Sequence, residues 1–395
     1  MNQWHLTSPE RESLLAFLRK LVQTPSLSGE EGAVAVLVME EMRRLGFTEV
    51  RMDEAGNVVG ALGAAEGPVL LLDSHLDTVG VPDLSRWTVA PWGAELRGDT
   101  LYGVGSCDMK GGLAATLYGA AHLLRLGIPL RGRLVVAAVG LEEPAEGTGT
   151  RILFEEDGLK ADWVVIAEPS NLQVVRGQRG HIEMSLALQG RSAHSATPEL
   201  GENAIYAAAR VIFGLEILAE QLAVDPFLGP GALAVTDIHS QAVSRNAVPE
   251  RCEIIIDRRL TVGETETLAL AEVQRVIARE GIRAQLRVIE EDMHTYTGKT
   301  CRIRRISPPW AFDEHHPLIA AMLQSAREAG LRPALDKWYF ATEGAYTAGV
   351  AQIPTVGFGP GDPALAHTCD EHVNLEQVYA AAAAYAALAA HLLRK

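Results

Sequence analysis

Residues 70–80 read LLLDSHLDTVG, and this stretch decides the fold. A run of aliphatic residues suited to a core strand gives way to Asp73, His75 and Asp77, three groups that ionise or bind metals. A strand apolar on both faces belongs inside a parallel sheet covered by helices. In open sheets of that kind, ligands bind outside the carboxyl ends of the strands. A polar cluster at a strand exit therefore marks a rim where chemistry is expected, and other strands that end alike become the search target.

Several segments fit. RLVVAAVGLEEP (133–144) ends in Glu142 and Glu143, and ADWVVIAEP (161–169) ends in Glu168. IPTVGFGPG (353–361) is followed closely by His367, and Asp108 stands in GVGSCDMKGG (103–112), just before a helical pattern. Each residue alone has an ordinary structural explanation. Glu142 and Glu143 can complement a helix dipole, Asp108 can cap a helix, Asp77 can cap a turn, and a lone histidine at a strand end can simply face solvent. Brought to one rim, however, the carboxylates would repel one another and be costly to desolvate, so something positive should sit among them. A zinc site takes about four ligands. Two histidines and three or four carboxylates are enough for two metal ions sharing a bridge. Ions ~3.5–4 Å apart can activate a water and polarise a carbonyl together. Nitrogen and oxygen ligands without thiolate suit zinc, and cobalt or manganese also fit.

The pattern around these segments gives the architecture. Helix-like and strand-like runs alternate through the first half: a capping box at Ser28 and Glu31 before a helix that stops at Gly46, strand-like 50–62 and 68–75, then a helix over 110–127. Near Gly177 the style changes. HIEMSLALQG (181–190) alternates polar and apolar residues, a helix runs from about 202 to 222, 232–241 and 251–260 read as strands, 265–280 as a helix and 284–292 as a last strand. This β-α-β-β-α-β order predicts a small ferredoxin-like α+β unit with its helices on one face of an antiparallel sheet. The α/β style returns after about Pro308, with a helix over 316–330, a strand at 353–359 and an Ala-rich C-terminal helix. The expectation is a doubly wound, mostly parallel α/β domain (1–177 and 305–395) interrupted by an inserted domain (178–304).

Composition excludes some partners. The formal charge of −15 argues against nucleic acid, which requires clustered cations. No apolar run reaches membrane-spanning length, and the N-terminal segment reads as an amphipathic helix, not a signal peptide. Cys107, Cys252, Cys301 and Cys369 are scattered without CxxC spacing, so a cytoplasmic location is expected. No P-loop or GxGxxG spacing is present, and no GxSxG turn for a serine hydrolase.

Together, His75-Leu-Asp77, the loop from Gly105 through Asp108 to Gly112, Glu142-Glu143, Glu168-Pro and the segment from His367 to Glu371 resemble the M20 metallopeptidase and amidohydrolase family. Its members include carboxypeptidase G2-type enzymes, acetylornithine deacetylase, succinyl-diaminopimelate desuccinylase and aminoacylase-1. The segments FATEGAYTAG and GFGPGD…HTCDEHV are most similar to a hydrolase subgroup linked to selenium metabolism. The resemblance covers nearly the whole chain, including the inserted unit.

It implies two divalent metal ions, most simply zinc, with His75 and Glu168 on one, Glu143 and His367 on the other, and Asp108 bridging. Asp77 would orient the His75 imidazole, and Glu142 would be the general base. His194, in GRSAHSATPELGENAI (190–205), would reach the partner's site in a homodimer formed through the inserted domain and stabilise the oxyanion; from the residues alone it is a polar residue in a surface turn. Asn246 is a candidate substrate contact. Arg258 could grip a carboxylate or pair with Asp257 or a nearby acid. One departure stands out. Family members carry a Gly-Gly-Thr-Asp-like loop that helps bind the substrate carboxylate, whereas this chain reads Ala341-Thr342-Glu343-Gly344-Ala345. Glu343 could meet a substrate cation or cap the following helix. Cys107 reads as a small packed residue, and Gly111 and Gly112 as packing positions. The implied activity is hydrolysis of an amide bond in a small substrate such as a dipeptide or N-acyl amino acid. The competing class is a non-catalytic binding or scaffold protein, which would have no physical reason to crowd carboxylates at this cost.

Overall fold

The computed structural model describes residues 3–64 and 66–394; the expected domain ends at residues 1 and 395 lie outside them. The elements that position the rim are α1 (Ser8–Gln23), α2 (Gly32–Arg44), β1 (Thr48–Met52), β2 (Val58–Gly63), β3 (Val69–His75), α3 (Gly111–Arg125), β4 (Arg133–Val139), α4 (Thr148–Glu155), β5 (Trp163–Ile166) and β6 (Val174–Gln178). The inserted unit follows with β7 (Gly180–Gln189), α5 (Ala204–Ala219), β8 (Ala232–Gln241), β9 (Arg251–Leu260), α6 (Glu266–Arg279), β10 (Ala284–Val288) and β11 (Ile306–Ser307). The chain then supplies β12 (Trp310–Ala311), α7 (Pro317–Glu328), β13 (Leu335–Trp338), β14 (Thr355–Gly357) and α8 (Leu375–Leu393).

The large sheet runs β1-β2-β4-β3-β5-β14-β6-β12, with β13 also on β6. Its centre, β4-β3-β5-β14, is parallel, and antiparallel strands close both sides. The central strands are apolar along their length because both faces are covered. Leu70, Leu72, Val136 and Val165 pack under α1, α2, α3, α7 and α8, while Leu71, Val135, Val164 and Ile166 face Leu153 of α4 and the indole of Trp338. Each fully buried leucine contributes roughly 1.5–3 kcal/mol. The Ala-rich composition of α8 lets it lie buried against α3: a side chain on Gly119 would meet the Ala382 carbonyl at 2.6 Å. Asn374 caps α8, accepting from the Glu376 and Gln377 amides at 2.9 and 3.3 Å.

The smaller sheet is antiparallel, in the order β8-β9-β7-β10, with β11 pairing β7. Ala208, Val211 and Leu215 of α5 and Val273 of α6 pack on Met184, Leu186, Ile254 and Ile256. The β-α-β-β-α-β order with this strand sequence is the ferredoxin-like arrangement expected. Beyond Val288 the structure adds a two-stranded ribbon, 290–294 with 300–304, where a single strand was expected.

The capping box expected at Ser28 and Glu31 does not form. Glu31 is the residue preceding α2 but its side chain does not cap it. Its carboxylate instead accepts from the Gly29 amide at 2.9 Å and the Leu141 amide at 3.1 Å, and the Ser28 hydroxyl donates to Asp77 at 2.8 Å. Both residues are spent on the loops at the strand exits. Among the described residues no helix is long and apolar enough to cross a membrane.

The start of α3 is pressed against the end of β5. A Cβ on Gly112 would lie 2.2 Å from the Ala167 carbonyl, one residue before Glu168, which agrees with a packing role. Gly112→Ala must displace α3 from β5, and should destabilise the protein by about 1–3 kcal/mol. Urea unfolding checks this; an unchanged midpoint would contradict the close approach.

Candidate metal centre

The register of the parallel strands brings the acids together. His75 pairs with Val139 in register, and Asp73 with Ile166. Glu142 and Glu143 follow β4 by three and four residues, and Glu168 follows β5 by two. Leu141 and His367 sit at φ 59° and 60°, a left-handed backbone that costs non-glycine residues ~1–3 kcal/mol. Asp108 occupies the turn before α3, and its peptide bond to Met109 is cis.

The two oxygens of Asp108 face different partners. Oδ1 lies 3.1 Å from His75 Nε2, which is also 3.2 Å from Glu168 Oε1. Oδ2 lies 3.4 Å from His367 Nε2, which is 2.9 Å from Glu143 Oε2. Ligand atoms of His75, Asp108 and Glu143 fall within 4.8 Å of one another, as do those of His75, Glu142 and Glu168. The structure thus brings together all five expected ligands and Glu142. His75 is 1 % exposed and Glu168 3 %.

Protonation shows what this crowding costs. Burial raises Glu168 to about 8. Burial, then the Glu343 charge, push Glu142 well up, and burial raises Glu143. For Asp108, burial acts upward, but hydrogen bonds from His367 and His75 outweigh it and hold it below the usual carboxylate range. His367 is lifted to about 10 by hydrogen bonds to Asp108 and Glu143. Burial disfavours the charged form of His75, yet Asp108 and Glu168 raise it. Protons on the two imidazoles supply the positive charge. A donor set of two histidines and several buried carboxylates, two of them divided by one bridging acid, fits a pair of divalent cations in place of those protons.

Asp77 holds the centre differently from the expectation. His75 Nδ1 lies 2.9 Å from the Asp77 main-chain carbonyl, and 3.7 Å from its carboxylate. The carboxylate instead accepts the Glu142 and Glu143 amides, each at 3.1 Å. Glu371, which the sequence shows only as the end of the His367 segment, acts as a clamp. Its carboxylate accepts the amides of Gly105, Cys107 and Asp108 at 2.9–3.0 Å, fixing the loop that carries Asp108. Burial raises it to about 8. Only its place beside His367 hinted at this. Lys110 spends its ammonium on the Leu21 and Thr24 carbonyls, and burial lowers it to about 7. Burial pushes the Cys107 thiol far up, as suits a packed residue. Asp73, unexplained by sequence, accepts from the Thr150 hydroxyl at 2.8 Å, and burial raises it to about 7.

The remaining candidates part company. His194 and Asn246 are exposed on adjoining loops of the inserted unit: His194 Nδ1 accepts from the Ala196 amide at 3.0 Å, and the Ser195 amide donates to the Asn246 carbonyl at 2.8 Å. Their polar contacts stay within those loops. Arg258 is not offered to a substrate carboxylate. It is fully buried in the inserted unit and paired with Glu264 at 2.5 Å and Glu272 at 2.8 Å, while Asp257 pairs with Arg259. Strand alternation points Arg258 toward the helix-covered face, where internal acids reach it. Glu343 lies against the centre, fully buried. Its main-chain carbonyl accepts from Tyr346 and Thr347, but its carboxylate caps no helix.

Arg258→Ala would strand two acids, one fully and one mostly buried, and should cost about 3–5 kcal/mol without altering bound metal; a loss under about 1 kcal/mol in urea unfolding would contradict the pairing. The raised groups also predict a pH effect. Ligation needs His367 neutral and Glu168 ionised, and these lose their protons only near pH 10 and 8. Metal affinity should therefore rise with pH across this range, and zinc loading at pH 7 should release at least about two protons per chain. Calorimetry in buffers of different ionisation enthalpy measures the release; none would contradict the assignment.

Comparison with known proteins identifies the family. Residues 71–391 match the model of peptidase family M20/M25/M40. The chain is 35 % identical over 374 residues to a protein of Escherichia coli K12 named Uncharacterized protein YgeY, covering 94 % of this chain and 92 % of that one. It is 28 % identical over 378 residues to succinyl-diaminopimelate desuccinylase 2 of a Ruegeria species, covering 92 % and 91 %. The Bacillus subtilis YXEP protein, described as a dinuclear metal binding peptidase from M20 family, shares the fold with a TM-score of 0.73 at 15 % identity, over 98 % of this chain and 99 % of that one. With the family model matched over most of its length, the chain belongs to the M20 peptidases, a family of metal-dependent hydrolases.

Proposed function

We propose that this chain hydrolyses an amide C–N bond in a small substrate such as a dipeptide or an N-acyl amino acid, with two divalent metal ions. The carrying observation is Asp108, whose two oxygens face separate histidine–carboxylate pairs at 3.1 and 3.4 Å. His75 and Glu168 would hold one ion, His367 and Glu143 the other, and Asp108 both. Zinc is the first choice for this donor set, with cobalt and manganese as alternatives. When bound, the ions supply Lewis-acid polarisation of the carbonyl and a lowered water pKa.

The chain's own groups handle the protons. Glu142 Oε1 is buried and carries no hydrogen bond, so it is free to accept a proton from the attacking water. The water oxygen adds to the carbonyl carbon, the C–N bond breaks, and Glu142 returns the proton to the leaving nitrogen, giving an acid and an amine. Asp77, through the Glu142 and Glu143 amides, keeps base and ligand in register.

Residues 178–304, extended by β11, which pairs with β7 and so moves the expected boundary at 304/305 past Ser307, form a lid and dimerisation domain on a catalytic domain built from the residues on either side. In favour of a homodimer, α5 exposes Tyr206, Phe213 and Ile217, at 67 %, 65 % and 48 %, beside the exposed edge strand β8. His194, exposed on the same unit, would complete the partner's site and stabilise the oxyanion, with Asn246 beside it contacting substrate. Free cysteines and the net charge of −15 favour a cytoplasmic enzyme acting on small molecules, apart from nucleic acid and membrane.

Glu142→Gln should retain its metal and lose turnover by about 10²–10⁴-fold, measured with a dipeptide and N-acetyl amino acid panel; retained turnover would remove Glu142 from the role of base. His194→Ala should leave metal content unchanged and lower kcat by about 10²–10³-fold. An unchanged rate would return it to a surface role.

A further inference from the structure

Glu343 is a conspicuous buried acid among the described residues, and burial, then Asp73 and Glu168, push it well above the usual carboxylate range. It is fully buried, and neither carboxylate oxygen has a hydrogen-bond partner. A buried acid of that kind is costly to ionise unless something meets it, and each such group in a native structure calls for an explanation. The charges bearing most on it are the carboxylates of Asp73 and Glu168, with His75 as counter-charge, and Glu343 is in turn the charge that acts most on Glu142. It therefore lies near enough to the proposed base to act on its charge. Its oxygens are not among the groups that converge as metal ligands.

The surroundings form a built wall. Thr342 Oγ1 donates to Gln178 Oε1 at 2.6 Å, leaving Gln178 Nε2 buried and unpartnered, like the neighbouring Trp310 Nε1. A side chain at Gly344 would lie 2.5 Å from Trp310 Nε1 and 2.9 Å from Gln178 Oε1, so glycine is required for the indole and the amide to close on this loop. Three side chains around residues 342–344 thus present unused polar atoms, and the one that can ionise is an acid.

Resting on the amide-hydrolase reading above, we propose that Glu343 is the specificity-determining residue, receiving a primary ammonium of the substrate close to the scissile bond. An ammonium would offer it charge-assisted hydrogen bonds and offset the like charges of Asp73 and Glu168. Molecules that present a carboxylate at this position would be repelled. The preferred substrates are amides with a free amine near the bond, such as dipeptides with an unblocked amino end.

The test uses two small ketones that cannot be hydrolysed and differ only in the amine: 5-aminolevulinate, which mimics a dipeptide of two glycines, and levulinate. Their binding to the zinc-loaded full chain is measured by calorimetry. The wild type should bind the amine at least about tenfold more tightly, Glu343→Gln should bring the ratio close to one, and Glu343→Asp, which keeps the charge on a shorter arm, should retain part of it. Equal or tighter binding of levulinate, or a preference that survives Glu343→Gln, would overturn the proposal. The two readings fail separately. A Glu343-dependent preference without cleavage of any dipeptide or N-acyl amino acid would keep the ammonium site and sink the amide-hydrolase reading, whereas cleavage without that preference would do the reverse.

Discussion

Crowded negative charge is the constraint on which the rest of the structure depends. Asp108, Glu142, Glu143 and Glu168 converge on His75 and His367, buried on the His75 and Glu168 side and open to solvent at His367. Such a cluster is stable only with positive charge inside it and with its backbone held against repulsion. In the chain alone, protons on His75 and His367 provide the charge, and burial drives Glu168 toward its neutral form. The donor set suits a pair of divalent cations, and the two oxygens of Asp108 would give such a pair a shared ligand.

Holding the backbone is the work of two acids that bind no metal in this account. Asp77 accepts the amides of Glu142 and Glu143, so the exit of β3 is tied to the exit of β4. Glu371, from just past His367, accepts three amides of the loop that carries Asp108, those of Gly105, Cys107 and Asp108. Ser28 and Glu31 brace Asp77 and Leu141 from the start of α2. Segments from the N-terminal quarter, the middle and the C-terminal end thus converge on one rim, and damage to any clamp would be felt as misplaced ligands.

Much of this was legible from sequence because each observed feature has a local cause. Aliphatic runs that stop at an acid or histidine showed the parallel strands and their exits, since residues buried on both faces leave no alternation. The switch to alternation at 181–190 exposed the inserted sheet. Less accessible were features that depend on partners far along the chain. Arg258 invited a substrate role because sequence does not show Glu264 and Glu272 closing on it. Ser28 and Glu31 have the spacing of a capping box, yet loops more than forty residues away claim them. The clamp at Glu371 could not be read because its partners are main-chain amides, which carry no signature of their own.

The central claim is that two cations sit on either side of Asp108. Elemental analysis of the chain after zinc loading and exhaustive dialysis, repeated on His75→Ala and His367→Ala, tests it most directly. The account predicts about two zinc ions per chain, with each substitution weakening the ion nearer to it. No retained metal in the wild type, or full retention in both variants, would contradict it.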